Sequence, residues 1–218
     1  IWQVFFLVWI TLIMHPEALT EEGKKVFANL KSFKDFYLAG GTALALQLGH
    51  RVSVDFDLFS PKELSDSLLP LVEKVFSDHL VTSQVNNKDE LTVSVNGIKI
   101  TFLHYPFPVL REYVEYEGLA MLSVPELAVT KAYTIGRRGS FKDYVDLYFA
   151  IEEKKVALAE IIELAQRKYG TVFNGRLFWE QLIYLEDIAD VEILFLREEV
   201  NKEKLKEFFT AEIKRLKL

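Results

Sequence analysis

A chain of 218 residues, half of them hydrophobic and 27% charged, has enough apolar material for one sizeable core or two smaller ones sharing an interface, which excludes a disordered protein. Cysteine is absent, so a disulfide framework, a thiolate nucleophile and a Cys-ligated zinc are excluded, and a cytoplasmic location is expected. The net charge of -6 argues against a general nucleic-acid coat protein, whose binding by counterion release needs abundant Lys and Arg, so any nucleic-acid contact must be local.

Residues 1–13, IWQVFFLVWITLI, are apolar apart from Gln3 and Thr11. They are too short to span a bilayer and carry no basic flank, so no membrane association is expected. Met14 opens a stretch of ordinary domain composition, which makes 1–13 read as upstream or non-native sequence; the rival reading buries it against a partner. A helix is expected over 20–31, capped by Thr20. FYLAG (36–40) reads as a buried strand, and GTALALQLG as a helix that starts at Thr42 and stops at Gly49. SVDFDLF (53–59) alternates strictly, with Val54, Phe56 and Leu58 on one face and Ser53, Asp55, Asp57 and Phe59 on the other.

A helix is expected next over 63–79, followed by three strand-like runs, LVTSQV, LTVSV and IKITFL, the last two joined by the hairpin dipeptide Asn96-Gly97. Beyond Pro106 and Pro108 the pattern turns helical, first at SVPE (123–126), which reads as a capping box with Pro125 at the first helical position. Helices are expected at 124–137, 141–152, 156–168, 175–188 and 202–217. In the last, Leu205, Phe208, Phe209, Ile213 and Leu216 form an apolar stripe facing their own domain. The division is therefore 14–110 as a sheet-containing domain and 111–218 as a helical one. His15, His50, His79 and His104 are scattered and form no zinc pair.

Strand residues two apart point the same way and lie about 7 Å apart, so Asp55 and Asp57 present two carboxylates to one small volume. Such a pair calls for a cation, and oxygen donors suit Mg²⁺, with Mn²⁺ as an alternative; metal held there activates an attacking hydroxyl and neutralises a triphosphate. Immediately before it stands a strand, Gly-Gly-Thr, helix arrangement. Gly40 and Gly41 let backbone amides approach a phosphate, Thr42 offers a cap and a hydroxyl, and the helix N-terminus adds partial positive charge. A tight turn explains the glycines alone; the turn and the DFD strand together favour a nucleotide site. From Lys131 to Lys142 the chain also carries Lys131, Arg137, Arg138 and Lys142 with no acid between them, either a solvated helix end or a local anion-binding patch.

FYLAGGTALALQLGHRVSVDFDLFS (36–60) resembles the signature of the AbiEii/AbiGii toxin family of nucleotidyltransferases, within the DNA polymerase beta-like superfamily. KAYTIGRRGSFKDYVDLYF (131–149) is similar to that family's second block, and FNGRLFWEQLIYLEDI (173–188) to its late helix, so the resemblance covers Met14 to Ile188. It implies an α+β fold, a nucleotidyltransferase-type mixed sheet flanked by helices and followed by a helical C-terminal domain that completes the nucleotide site. It also implies transfer of a nucleotide from an NTP to an acceptor, a tRNA 3′ end or a protein, by the toxin of a toxin-antitoxin pair with a separately encoded antitoxin. Residue by residue, Gly40, Gly41 and Thr42 match the phosphate-binding turn, Asp55 and Asp57 the metal ligands, Lys131 the lysine on the nucleotide phosphates, and Asp143 and Asp146 the aspartates of the second block, beside Lys142.

Without the resemblance, Lys142 and Asp146 read equally well as an i,i+4 surface ion pair, and Lys131 as part of a solvated face with Thr134 and Arg138. One departure stands out. The strand GIKITFL offers Thr101 where many superfamily members bring a third carboxylate, so either Asp143 or Asp146 completes the site from the helical domain, or only one metal is held firmly, or activity is lost; of these, Asp146 is expected to turn into the cleft towards Asp55 and Asp57, and Asp146→Asn to cut activity while sparing stability. A non-catalytic nucleotide-binding module on the same fold is the alternative that Thr101 keeps open.

Overall fold

The computed structural model describes residues 13–216; the expectations for 1–12 and for the end of the last helix at 217 lie outside the described residues. Thr20 caps α1 (Glu21–Leu30) by accepting from the Gly23 amide, and the helix buries Val26, Phe27 and Leu30. β1 (Tyr37–Ala39) runs directly into α2 (Gly40–Leu48), which Gly49 stops in the left-handed conformation at φ 61°. β2 (Phe56–Ser60) follows, then α3 (Leu68–Val75), β3 (Val81–Asn86), β4 (Glu90–Val95) and β5 (Ile98–His104). Asn96 and Gly97 turn the β4–β5 hairpin, both with positive φ, as a two-residue primed turn requires.

The expected helix over 63–79 survives only as α3. Pro70 lacks an amide proton and its ring would clash with a preceding turn, so it is tolerated only in the first turn, while Ser65 accepts from the Ser67 amide and holds the approach in a turn. β2 likewise begins three residues late, at Phe56. Val54 is 44% exposed and does not share the core face of Phe56 and Leu58.

A second hairpin, β6 (Val114–Tyr116) and β7 (Leu119–Met121), turns at Glu117 and Gly118, again both at positive φ, in a stretch where no strand was expected. With it the sheet has seven strands in the order β3-β4-β5-β2-β1-β7-β6, with parallel pairs at β2–β5 and β1–β7. A boundary at 110/111 therefore cuts this hairpin from the sheet to which it belongs. Helices α4 (Val124–Arg138), α5 (Phe141–Glu152), α6 (Leu158–Tyr169), α7 (Gly175–Ile183) and α8 (Lys202–Arg215) complete the chain. Leu205 and Phe209 of α8 are buried, and Phe208, Ile213 and Leu216 pack against the same core.

The capping box expected at SVPE does not form. Ser123 makes no cap bond, and Glu126 instead accepts from the amides of Leu110 and Arg111 at 2.6 and 3.0 Å and pairs with buried Lys168 at 2.6 Å. The box forms one helix later, where Ser140 and Asp143 satisfy each other's orphan amides at the start of α5. α2 is buried from Thr42 to Leu48 between the sheet and helices α4 and α5, and Gln47 donates to the Leu122 carbonyl at 2.8 Å. This packing brings the second sequence block against the first.

Candidate active site

A cleft of about 500 Å³ opens where β2, the N-terminal turn of α2, α4 and the start of α5 meet, a volume suited to a nucleotide. Among the expected residues, Gly41, Thr42, Asp55, Asp57, Lys131, Lys142 and Asp143 line it. Gly40 lies just behind. Its φ of 66° is the left-handed conformation, and a Cβ there would collide with the Asp57 carboxylate. Gly41 is required for a different reason, since a Cβ would collide with the guanidinium of Arg51.

Asp55 is exposed at the mouth, whereas Asp57 is half-buried beside it. Burial pushes the Asp57 carboxyl above its ordinary value despite the nearby charges of Lys131 and Lys99. The β2–β5 register sets Thr101 directly opposite Asp57, so the neighbouring strand supplies a hydroxyl where a third carboxylate was sought. Thr42 is buried and donates to the Asp55 carbonyl, with Ser53 Oγ 2.7 Å away, so its hydroxyl ties the start of α2 to the entry to β2. The N-cap of α2 is Ala39, which makes no side-chain cap bond.

Asp146 is not where the sequence placed it. It lies behind the cleft wall, fully buried, and both oxygens are saturated: Oδ1 accepts from His50 Nε2 at 2.8 Å and Arg51 Nε at 2.7 Å, and Oδ2 from Arg51 Nη2 at 3.0 Å and Lys131 Nζ at 2.7 Å. A carboxylate so engaged has no lone pair free for a metal, and the pair with Lys142 is not made. Burial opposes the charge on Asp146, but Arg51 and Lys131 outweigh it and hold the carboxyl well below its usual range. The same pairing raises Lys131 and Arg51 above their ordinary values in spite of burial.

Lys131 is therefore no solvated residue; it bridges Asp146 and Asp143, the latter at 2.8 Å. The other Asp143 oxygen accepts from Ser140 N and Oγ at 2.8 and 2.9 Å. His50 is fully buried, and burial holds its imidazole below the ordinary value, with Asp146 pulling the other way. Because a carboxylate only accepts, Nε2 carries the proton, and Nδ1 is left without a partner.

In the sequence His50 stood out only as one of four scattered histidines, and Arg51 went unnoticed. No local signal gave Arg51 away: it precedes β2, and the alternation that would align it with Asp55 and Asp57 breaks at exposed Val54. Residues 192–194 also reach the cleft rim, held by Val52 N to Leu194 O at 2.8 Å and Leu196 N to His50 O at 3.0 Å. Among the described residues, no group of three or more His, Cys, Asp or Glu is placed to hold a metal, and no helix is long and apolar enough to cross a membrane.

Sequence and fold are similar to those of known proteins. An uncharacterized protein of Aquifex aeolicus (strain VF5) is 32% identical over 182 residues, 83% of this chain and 87% of its own. The fold resembles that of JHP933 from Helicobacter pylori, with a TM-score of 0.55 at 16% identity, covering 91% of this chain and 95% of that one. It also resembles MenT4, a nucleotidyltransferase toxin from Mycobacterium tuberculosis H37Rv, with a TM-score of 0.54 at 17% identity, covering 82% and 75% of the two chains. The family profile "Nucleotidyl transferase AbiEii toxin, Type IV TA system" matches residues 25–218, so the chain belongs to the AbiEii family of nucleotidyltransferase toxins.

Proposed function

We propose that this nucleotidyltransferase binds an NTP in the cleft, with its triphosphate on the α2 turn, and transfers the nucleotide to a hydroxyl at an RNA 3′ end. The observation that carries this reading is the meeting of Asp55, Asp57, the Gly41 turn and Lys131 on one cleft wall. The acceptor oxygen bonds to the α-phosphorus as the bond from that phosphorus to the β-phosphate oxygen breaks; pyrophosphate leaves with the electron pair, and the hydroxyl proton passes to solvent water. Gly40 and Gly41 amides at the N-terminus of α2 cradle phosphate oxygens. Lys131 has given two of its three N–H donors to Asp143 and Asp146, and the third is available to the triphosphate.

The donor set fits Mg²⁺. Two carboxylates supplemented by substrate phosphates and water are a common complement for that ion, Asp55 and Asp57 supply the pair, and Asp143 and Asp146 are already engaged. Bound there, the ion would neutralise phosphate charge and lower the pKa of the attacking hydroxyl. RNA is favoured over a protein hydroxyl because Lys142 lines the cleft and Arg137 is exposed nearby in the chain, stacked 4.3 Å over the Tyr133 ring. The NTP is the donor, and a separately encoded antitoxin restrains the activity in the cytoplasm.

The test is incubation with each of four α-labelled NTPs, Mg²⁺ and total RNA, followed by RNase or protease. RNase-sensitive label with one or more NTPs is expected. Label sensitive only to protease would move the acceptor to protein, and no label in either fraction would reject the transferase reading of this cleft.

A further inference from the structure

Asp146 accounts for only part of what Arg51 can do. A guanidinium has five N–H donors in a planar fork. Nε and Nη2 give one each to Asp146, and Nη1 gives one to the Val52 carbonyl at 3.1 Å. Among the described residues the two remaining N–H groups, one on each terminal nitrogen, have no protein acceptor. Arg51 is 4% exposed, and it lines the cleft beside Gly41 and Asp57. Nη2 packs where a Gly41 side chain would be, so the guanidinium lies against the first turn of α2. Donors without a protein acceptor on a cleft wall are open to a ligand, and a two-pronged guanidinium edge matches two oxygens of a phosphate.

The residue is also fixed in place. The residues either side of it are tied to the 194–196 segment through Val52 N and His50 O, and its side chain is clamped by Asp146, which His50 secures from behind. Such clamping removes the side-chain freedom that a free arginine would lose on binding.

We infer that Arg51 is a further phosphate-contacting residue of the cleft, and that Asp146, secured by His50, is the positioning residue that aims it. This rests on the reading of the cleft as an NTP site. Arg51→Lys keeps one positive charge and loses the fork. His50→Gln keeps an N–H donor towards Asp146, and His50→Leu removes it.

The probe is inorganic tripolyphosphate with Mg²⁺, titrated calorimetrically into each full-length protein, beside the NTP KM and kcat. Arg51→Lys is expected to weaken tripolyphosphate binding and raise KM at least tenfold. His50→Leu should raise KM more than it lowers kcat, and His50→Gln should largely restore it. In the wild type, the Arg51 side-chain nitrogen resonances should shift during the titration, a readout independent of any variant's folding. Wild-type binding that is unchanged within twofold in Arg51→Lys, or Arg51 resonances that stay put while tripolyphosphate binds, would overturn the inference and leave the NTP reading standing. A wild type that binds neither tripolyphosphate nor any NTP would overturn both.

Discussion

Asp146→Asn separates a buried anchor from a metal ligand. The substitution keeps the shape and removes one negative charge from a fully buried position, leaving Arg51 and Lys131 to face each other with Asp143 as the remaining counter-charge. Breaking a buried ion pair by removing one partner costs about 3–5 kcal/mol, because the orphaned charge stays desolvated. At about 2–4 °C per kcal/mol for a chain of this size, the melting temperature should fall by about 6–20 °C. The assay is thermal unfolding at neutral pH without nucleotide or metal, repeated by denaturant titration to confirm a shifted midpoint at constant slope. This reverses half of the sequence-based expectation, which spared stability. An Asp146→Asn protein that melts with the wild type would refute the anchor account and return Asp146 to the cleft.

Asp57→Asn should abolish transfer yet raise the metal-free melting temperature, since burial raises the Asp57 pKa and its charged form opposes folding above the unfolded value; calorimetry checks the sign. Gly41→Ala must displace the Arg51 guanidinium, and Gly40→Ala, strained at its left-handed φ, must displace the Asp57 carboxylate, so each should lower kcat/KM at least tenfold, and near-wild-type turnover in either would count against the turn. Stability should also fall as pH drops below about 6.5, because His50 binds a proton in the unfolded chain before it does in the folded one. Asp146, depressed in the fold, holds its contribution until the pH falls below about 4, and it is then lost towards its lower folded pKa. A pH series of melting temperatures for wild type and His50→Gln should show the first phase only in the wild type.

Much of the sheet was legible because its signals are local. Thr20 and Gly49 mark helix ends by hydrogen bonding and left-handed geometry, and Asn96-Gly97 marks a hairpin by its two positive φ values. The Glu117-Gly118 hairpin escaped because its strands are three residues each and its pairing partner, β1, is some eighty residues away in the chain. The Gly-Gly turn and the DFD strand were readable as an adjacent pair, and packing did bring Lys131 and Asp143 to them. The placement of Asp146 was not readable. Residues 143 and 146 share a helix edge, but which of them reaches the cleft depends on how deeply α5 packs against α2 and on Arg51, a residue whose side-chain direction no local rule supplied. Ser123 shows the same limit: its box partner Glu126 is drawn away by the amides of Leu110 and Arg111 and by Lys168.

The most direct measurement compares wild type and Asp55→Asn for transfer of label from an α-labelled NTP in Mg²⁺, with folding verified by melting. Asp55 is exposed, so the variant should melt with the wild type. The account predicts a loss of transfer of at least a hundredfold. Transfer at the wild-type rate by a fully folded Asp55→Asn protein would contradict it.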